Sequence, residues 1–244
     1  MSDGDRSSSS YYDKWRGYFL LFCDDLKPKV EEAISMLRSI DLDRAIISVS
    51  GGKDSMALLH IATRLRSDVN VFHWDHGAAL MPREIEEEIL RNIKRIAPGA
   101  RLIVRRYSVE DERARWDYKR WYAEFFSTLR RLGYEYHVLG IRAEESYKRA
   151  ARGAVVRRDR WIEVYPIYSW TWRDVWTYIF CNDVPVPSVY AKYVELLGWE
   201  RARLVTFFDR EFEKYGAPQI DGFMMWRYRH TSPPPRCNKH STQA

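Results

Sequence analysis

Between residues 44 and 165, short apolar runs alternate with longer segments that have helical spacing. The runs predict strands at 44–49, 70–73, 102–104, 137–141 and 161–164, and the segments between them predict helices at 53–66, 83–97, 112–132 and 142–151. This alternation favours an α/β fold, a mostly parallel five-stranded sheet with helices on both faces. Right-handed crossovers place the carboxyl ends of the parallel strands at one rim, where ligands bind in such folds.

Helical patterns flank the alternating region on both sides. Upstream, residues 11–26 and a segment that begins near Pro28 predict two helices. Downstream only helices are predicted, because apolar residues recur at helical spacing at Trp172, Val175, Trp176 and Ile179 and a further helix fits 189–215. The expected parts are a disordered tail at 1–10, an α/β domain with N-terminal helices at 11–165, a helical region at 166–230 and a flexible tail at 231–244.

The charge of the chain favours anionic partners. Forty lysine and arginine residues stand against 34 aspartate and glutamate residues, which gives a formal net charge of +6. This balance suits nucleotides, sulfated metabolites or RNA, although a basic surface can also serve solubility alone. Hydrophobic residues make up 45% of the chain and aromatic residues 15%, so the composition excludes a wholly disordered protein.

The cysteine pattern bears on cofactor and compartment. Cys23, Cys181 and Cys237 form no closely spaced pair, which argues against both a four-thiolate metal cluster and a disulfide scaffold. We therefore expect a reducing compartment, the cytoplasm. No apolar run reaches the roughly 18 residues of a membrane span, and the polar first residues lack the apolar core of a signal peptide. No membrane partner is expected, and a homo-oligomer stays open.

The segment SGGKDS joins the first predicted strand directly to the next helix. Its members are Ser50, Gly51, Gly52, Lys53, Asp54 and Ser55. Two glycines allow a sharp turn and a close approach of backbone to ligand. The helix that follows directs free amide groups and a partial positive charge at the same place, which favours a phosphate. A plain glycine turn is the alternative, but the lysine, the acid and the serines all suit an anion site.

The charged residues of this turn predict specific roles. Lys53 adds a full positive charge, and the serine hydroxyls can donate to phosphate oxygens. Asp54 would repel a phosphate unless a cation lay between them, which makes Asp54 a candidate Mg²⁺ ligand. The spacing differs from the Walker pattern, which has four residues between its first glycine and the GK pair.

SGGKDS resembles the signature of the PP-loop ATP pyrophosphatases. That resemblance implies an adenine nucleotide alpha hydrolase-like α/β domain that binds ATP with Mg²⁺. It also implies that ATP is cleaved between its α- and β-phosphates, so that a substrate is adenylylated and pyrophosphate is released. The catalytic candidates are Lys53, Asp54 and Arg142.

Two further segments extend the resemblance. VFHWDHG at 71–77 is similar to the family's strand that ends in an acidic residue and a glycine, which implies that His73 and Asp75 lie beside the adenine. The alternative is that His73 packs in the protein interior and Asp75 caps a loop. The segment 140–149 resembles GxRxxESxxR of the subgroup that contains phosphoadenylyl-sulfate reductases and related FAD synthetases. It adds Gly140, Arg142 and Arg149 as binding candidates.

Physical arguments accompany these three residues. Gly140 frees the rim of the sheet for a ligand, and the planar fork of Arg142 suits phosphate or sulfate. Arg149 follows by seven residues, two helical turns, so both arginines are expected on one side of a helix. A solvated helix with paired charges is the alternative.

Two segments near the helical region also resemble this subgroup. The segment 165–176 is expected to be mainly structural, with Thr171 and Asp174 as a capping box. VPVPSVY at 184–190 is similar to the family segment IPxNPLY but has Ser188 in place of a proline, and we expect it to close the substrate side.

The intact turn favours adenylyl transfer from ATP to an acceptor of sulfur or nucleotide metabolism. Reductases of the subgroup often relax SGGKDS and use a cysteine near the carboxyl end. Reduction of a sulfated nucleotide with Cys237 as nucleophile is therefore the second interpretation, because Cys237 and His240 keep the family spacing although the glutamate and glycine of that motif are absent.

Two more interpretations stay open. The first is an RNA-binding thiolation enzyme, favoured by cations interleaved with aromatics at 113–131 but weakened because core packing also explains the aromatics. The second is a non-catalytic nucleotide-binding subunit that works only with a partner. It stays open because ten tryptophans imply exposed apolar surface.

Overall fold

The computed structural model describes residues 11–75, 83–106, 118–188 and 190–191. The helices are α1 (Tyr11–Leu20), α2 (Lys27–Arg38), α3 (Lys53–Thr63), α4 (Arg83–Ile96), α5 (Tyr118–Leu132), α6 (Tyr147–Ala150) and α7 (Trp172–Cys181). The strands are β1 (Ala45–Ser48), β2 (Asn70–Asp75), β3 (Arg101–Arg106), β4 (Tyr136–Leu139), β5 (Val155–Arg157) and β6 (Ile162–Val164). Short 3₁₀ turns lie at Leu42–Arg44 and Ala143–Glu145.

The described strands form one sheet in the order β3-β2-β1-β4-β6-β5. All neighbouring strands are parallel except β5, which runs antiparallel to β6 and pairs Val155 with Val164. The predicted α/β fold is confirmed, but the predicted count of five strands is wrong. β5 was missed because it has only three residues, two of them exposed, so its two valines give too short a pattern to predict a strand.

Helices cover both faces of the sheet, as predicted. Alternate strand residues on one face, among them Ile47, Val71 and Val138, pack in a large core with α2, α3, α4 and α7. The opposite residues, which include Ile46 and Phe72, pack against α5 in a smaller aromatic cluster. This alternation arises because successive side chains of a strand point to opposite faces.

The first helix is shorter than predicted and is bonded to the last one. α1 ends at Leu20, where a run of turns replaces the helix expected to continue to residue 26. Phe19 stacks on Phe180 of α7 with ring centroids 5.4 Å apart. Beside this contact, Cys23 and Cys181 form a disulfide across 158 residues of sequence. The expectation that no disulfide supports the fold is therefore wrong, since this pairing depends on tertiary packing that no local spacing reveals.

The region after the sheet is described in part. α7 confirms the helix predicted from the apolar spacing, and the Thr171–Asp174 capping box is present. Residues 182–188 form no helix. The tails at 1–10 and 231–244 and nearly all of the helix predicted at 189–215 lie outside the described residues, so the division into parts stays a prediction. Across the described ranges, none of the helices combines the length and apolarity needed to span a bilayer.

His137 of β4 predicts how stability depends on pH. The side chain is 1% exposed, and burial lowers the pKa of His137 to about 4, although the nearby Glu163 opposes this shift. Because the ordinary pKa of histidine is 6.5, the unfolded chain takes up the proton first as the pH falls. The stabilisation that comes from keeping His137 neutral is therefore complete above pH 6.5 and decreases as the pH falls. By pH 4 the loss amounts to roughly 3 kcal/mol. Urea unfolding of His137→Phe should show a correspondingly shallower loss, and a loss equal to that of the parent protein would contradict the assignment.

Candidate functional site

The SGGKDS turn lies where the sequence predicts it, between β1 and α3. Gly51 has a φ of 86°, and a Cβ at this position would lie 2.6 Å from the side chain of Ile89. Glycine is therefore required both by the backbone conformation and by the packing of α4. Gly52 is the N-cap of α3, and no side chain caps the helix there. The N-cap residue therefore does not occupy the first amides of α3, although the amide of Lys53 donates to the hydroxyl of Tyr190, a contact that an anion would have to replace.

The two serines of the turn interact with each other and with its backbone. Ser50 is exposed, and its Oγ accepts a hydrogen bond from the amide of Gly52 at 3.3 Å. The hydroxyl of Ser55 donates to the carbonyl of Gly52 at 2.9 Å and lies 3.3 Å from the hydroxyl of Ser50. These contacts hold the turn in shape, and phosphate binding by the hydroxyls stays a prediction.

Asp54 is buried between two cations. Its Oδ2 accepts from Nζ of Lys53 at 2.8 Å, and its Oδ1 accepts from Nε of Arg142 at 2.5 Å. Lys53 and Arg142 are both almost fully buried. Burial alone would raise the pKa of Asp54, but the charges and hydrogen bonds of Lys53 and Arg142 outweigh it and hold the pKa below its ordinary value. Counted alone, these three groups carry one net positive charge, which the ion pair of Arg142 with Glu144 offsets.

This arrangement limits how Asp54 can bind a metal. Both carboxylate oxygens already accept from cations, and in the described ranges no group of three or more His, Cys, Asp or Glu side chains is placed to hold a metal ion. Mg²⁺ is commonly bound by one or two carboxylates together with substrate phosphates. The donor set therefore fits Mg²⁺ only with a phosphate ligand, and only after an oxygen of Asp54 is released.

Gly140 lets the end of β4 approach the first turn of α3. A Cβ on Gly140 would lie 2.9 Å from the carbonyl carbon of Asp54 and 3.0 Å from the amide nitrogen of Ser55. Any larger residue would separate the two segments. The glycine is thus needed for backbone packing, and this close approach is what brings Arg142 next to Asp54.

Arg142 and Arg149 do not share a continuous helix. Arg142 is extended, with a φ of −119° and a ψ of 144°, and an extended Ser146 separates the 3₁₀ turn from α6. The expected placement two helical turns apart is therefore wrong. Glu145 links the pair instead, since it accepts from the amide of Arg142 and forms an ion pair with Arg149. Arg142 also pairs with Glu144, so these charges order the segment.

His73 and Asp75 are buried and have protein partners. Nδ1 of His73 lies 2.7 Å from the carbonyl oxygen of Val49, and its Nε2 lies 2.6 Å from Oε1 of Glu86. Both carboxylate oxygens of Asp75 accept from Arg83, and Oδ2 also accepts from Arg106. His73 has the buried contacts that its packing interpretation required, whereas Asp75 pairs with two arginine side chains; adenine binding by either residue stays a prediction.

The sequence profile described as the phosphoadenosine phosphosulfate reductase domain matches residues 44–203. This range contains the turn, Arg142 and every described strand. The chain belongs to this family.

The named proteins to which the chain is similar include two kinds of enzyme. The chain is 29% identical over 175 residues to phosphoadenosine 5′-phosphosulfate reductase of Synechococcus, which covers 65% of this chain and 74% of that protein. It is 36% identical over 56 residues to sulfate adenylyltransferase subunit 2 of Sulfurovum. This match covers 22% of this chain and 18% of that protein. These names do not separate reduction from adenylylation.

A solved structure of a family member is also similar. It is phosphoadenylyl-sulfate reductase from Candida auris in a phosphate complex. The TM-score is 0.49 at 16% sequence identity, and the match covers 72% of this chain and 90% of that one.

Residues 184–188 and Tyr190 belong to the segment expected to close the substrate side, and they form a strap that contacts the start of α3 and α4. The amide of Lys53, at the start of α3, donates to the hydroxyl oxygen of Tyr190 at 3.0 Å. The amide and the hydroxyl of Ser188 donate to the two carboxylate oxygens of Glu88 on α4, at 2.8 and 2.9 Å. The strap therefore joins α3 to α4 across the turn. The proline of the similar family segment could make neither Ser188 contact, so this departure from the motif was the available signal.

Proposed function

We propose that this chain binds ATP at the SGGKDS turn and cleaves it between the α- and β-phosphates, transferring the adenylyl group to an acceptor of sulfur or nucleotide metabolism. The observation that carries the proposal is the complete turn at the start of α3, where the N-cap residue Gly52 offers no capping side chain, with Lys53 and Arg142 buried beside it. Sulfate adenylyltransferase subunit 2 among the relatives supports this reaction class.

Two buried cations beside the turn, Lys53 and Arg142, suit a phosphate ligand. Lys53 and the first amides of α3 would stabilise charge on the departing pyrophosphate, because they are held in a dry environment before the reaction begins. Arg142 would stabilise the α-phosphate or an anionic acceptor. Mg²⁺, when bound, supplies Lewis-acid stabilisation of phosphate oxygens, and Asp54 is the residue of the turn that would hold it.

An exchange of partners connects the closed arrangement to this function. As Lys53 turns its ammonium group from Asp54 to a phosphate, Oδ2 of Asp54 becomes available to a cation. The incoming phosphate would then replace the carboxylate as the partner of Lys53, and the cation would replace the ammonium group as the partner of Asp54.

Reduction of a sulfated nucleotide is the second candidate, and the relatives named as reductases favour it. It would require Cys237 as nucleophile, and this residue lies outside the described part of the chain.

Product analysis separates the two reactions. The protein is incubated with α-labelled ATP and candidate acceptors such as sulfate, and separately with phosphoadenylyl sulfate and a thiol reductant. Pyrophosphate together with an adenylylated product supports the proposal. Sulfite formation that Cys237→Ser abolishes would establish the reductase instead.

Lys53→Ala should weaken ATP binding by about 1.5–3 kcal/mol, the value of a hydrogen bond to a charged group. Titration calorimetry of ATP with Mg²⁺ measures the effect, and thermal melting monitors the loss of the buried Asp54 partner. Lys94→Ala, which removes an exposed lysine of α4, is the matched control. Equal affinity of the Lys53 and Lys94 variants would show that the turn is not the nucleotide site.

Tyr190→Phe should bind ATP about 2- to 12-fold more tightly, because the lost hydroxyl no longer occupies the first amide of α3. The ring is retained, so its contact with Trp176, at a centroid distance of 5.3 Å, is preserved. Tyr178→Phe is the control, since that hydroxyl lies 2.8 Å from Nδ1 of His60 instead. Weaker binding by Tyr190→Phe would indicate that the hydroxyl contacts the nucleotide directly.

A further inference from the structure

A basic groove lies at the amino ends of β1, β4 and β6. Its volume is about 550 Å³. The described residues that line it include five arginines and two acidic residues. The arginines are Arg44, Arg130, Arg157, Arg158 and Arg160. The acidic residues are Glu135 and Asp159, so the lining has a clear positive surplus.

The surplus is concentrated on three of the arginines. Arg44 pairs with Glu135, and Arg158 pairs with Glu163. Within the described residues, Arg130, Arg157 and Arg160 form no ion pair, and each is exposed. These three guanidinium groups therefore keep their full charge toward solvent.

Arg130 is held in place without being neutralised. Its guanidinium carbon lies 5.7 Å from the centroid of the Trp161 ring. A cation over an indole face is attracted by the ring while its charge is retained. The indole also stacks on Phe126 and His137, at centroid distances of 6.1 and 5.0 Å, so the platform under Arg130 is fixed by the core.

The backbone that carries the groove is tied to the sheet. The amide of Glu135 donates to the carbonyl of Arg44 at 2.9 Å, and the amide of Ile162 donates to that of Glu135 at 2.8 Å. The β5–β6 hairpin turn is closed by a hydrogen bond of 2.8 Å from the amide of Arg158 to the carbonyl of Trp161. The arginines thus project from a backbone that needs no reordering when a ligand binds.

The groove is separate from the proposed nucleotide site. The groove lies at the amino end of β4. Gly140 follows the carboxyl end of the same strand and lies next to the SGGKDS turn. From Glu135 to Gly140 the strand rise spans roughly 16 Å. This distance exceeds the screening length of about 8 Å at physiological salt, so the exposed charges of the groove act only weakly on a ligand at the turn.

We propose that this groove binds the phosphodiester backbone of a single-stranded nucleic acid. All five cations are arginines, whose planar forks match phosphate oxygens better than a lysine ammonium does. Tyr134 and Trp161 place aromatic surface among them, a combination that single-stranded nucleic acid sites share. An acidic protein segment would find the same charge, and its carboxylates also fit the guanidinium forks, but it would make no use of the aromatic surface for base stacking.

Fluorescence anisotropy with labelled oligouridylate of about 12 nucleotides tests the proposal on the full chain. Binding should weaken steeply as salt rises from about 50 to 200 mM. Arg157→Gln/Arg160→Gln should bind about 10- to 100-fold more weakly at the lower salt and lower the slope of log affinity against log salt by about 1.4. Lys94→Gln/Arg95→Gln removes the same charge from the exposed face of α4 and should leave both values nearly unchanged.

Three results would overturn the proposal. The first is an equal loss of oligonucleotide affinity in the two double variants, which would show that binding depends only on the overall charge of the protein. The second is displacement of the oligonucleotide by poly-glutamate as effectively as by unlabelled RNA, which would indicate an acidic protein partner. The third is displacement by ATP at concentrations that saturate the turn, which would place the oligonucleotide in the nucleotide site. Lys53→Ala should leave oligonucleotide affinity intact, so failure of this proposal and failure of the ATP proposal are distinguishable.

Discussion

Arg142→Met is expected to lower the free energy of unfolding by about 3–5 kcal/mol, because it removes one partner of a buried ion pair. Arg142 is 1% exposed and donates to Oδ1 of Asp54 at 2.5 Å. The carboxylate would then keep only Lys53 as a charged partner, in a place where water does not replace the lost contact. Urea unfolding at neutral pH measures the loss.

A second variant separates charge from packing in this prediction. Asp54→Asn/Arg142→Met removes the acid together with the cation, so its loss of stability should be smaller than the sum of the two single losses. Additive losses would show that Arg142 contributes through packing alone. Arg149→Met, which removes an arginine whose side chain is 37% exposed, should cost much less.

Removing the disulfide with Cys23→Ser/Cys181→Ser should lower the free energy of unfolding by about 2–5 kcal/mol. The bond closes a segment of 158 residues, and a cross-link over a long segment restricts the unfolded chain strongly. It also fastens α1 to the end of α7 beside the stacked pair of Phe19 and Phe180. Denaturant unfolding of the oxidised protein, with thiols counted by mass spectrometry, gives the value.

Cys237→Ser is the matched control for this experiment, because it removes a cysteine outside the bonded pair. Its stability should equal that of the parent protein under oxidising conditions. Treatment with dithiothreitol should lower the stability of the parent but not that of the double serine variant. A reductant effect of equal size in both proteins would contradict a stabilising role for the bond.

The strands with long apolar runs could be predicted because burial on both faces leaves a strong sequence pattern. β1 and β2, which carry the candidate site, are of this kind, and so the turn between β1 and α3 was placed correctly. β5 has mostly exposed side chains, and its formation depends on pairing with β6. Such a strand leaves no periodic signal in a single sequence.

Contacts between distant segments could not be predicted. The spacing of Arg142 and Arg149 suited a helix, but the capping interaction of Glu145 with the amide of Arg142 favours a 3₁₀ turn there. The burial of Asp54 between cations and the position of Tyr190 depend on how four segments meet at the rim. The sequence indicated which residues carry charge but not which of them neutralise one another.

The two hydrogen bonds between Ser188 and Glu88 have a consequence for exchanging segments between relatives. A chimaera that took its α4 from a relative without a carboxylate at the Glu88 position would receive only one half of this pair of contacts. The serine would then keep its donors while losing the carboxylate that accepts them. Chimaeras within this family should therefore exchange α4 and the strap together, because each supplies one partner of the two hydrogen bonds.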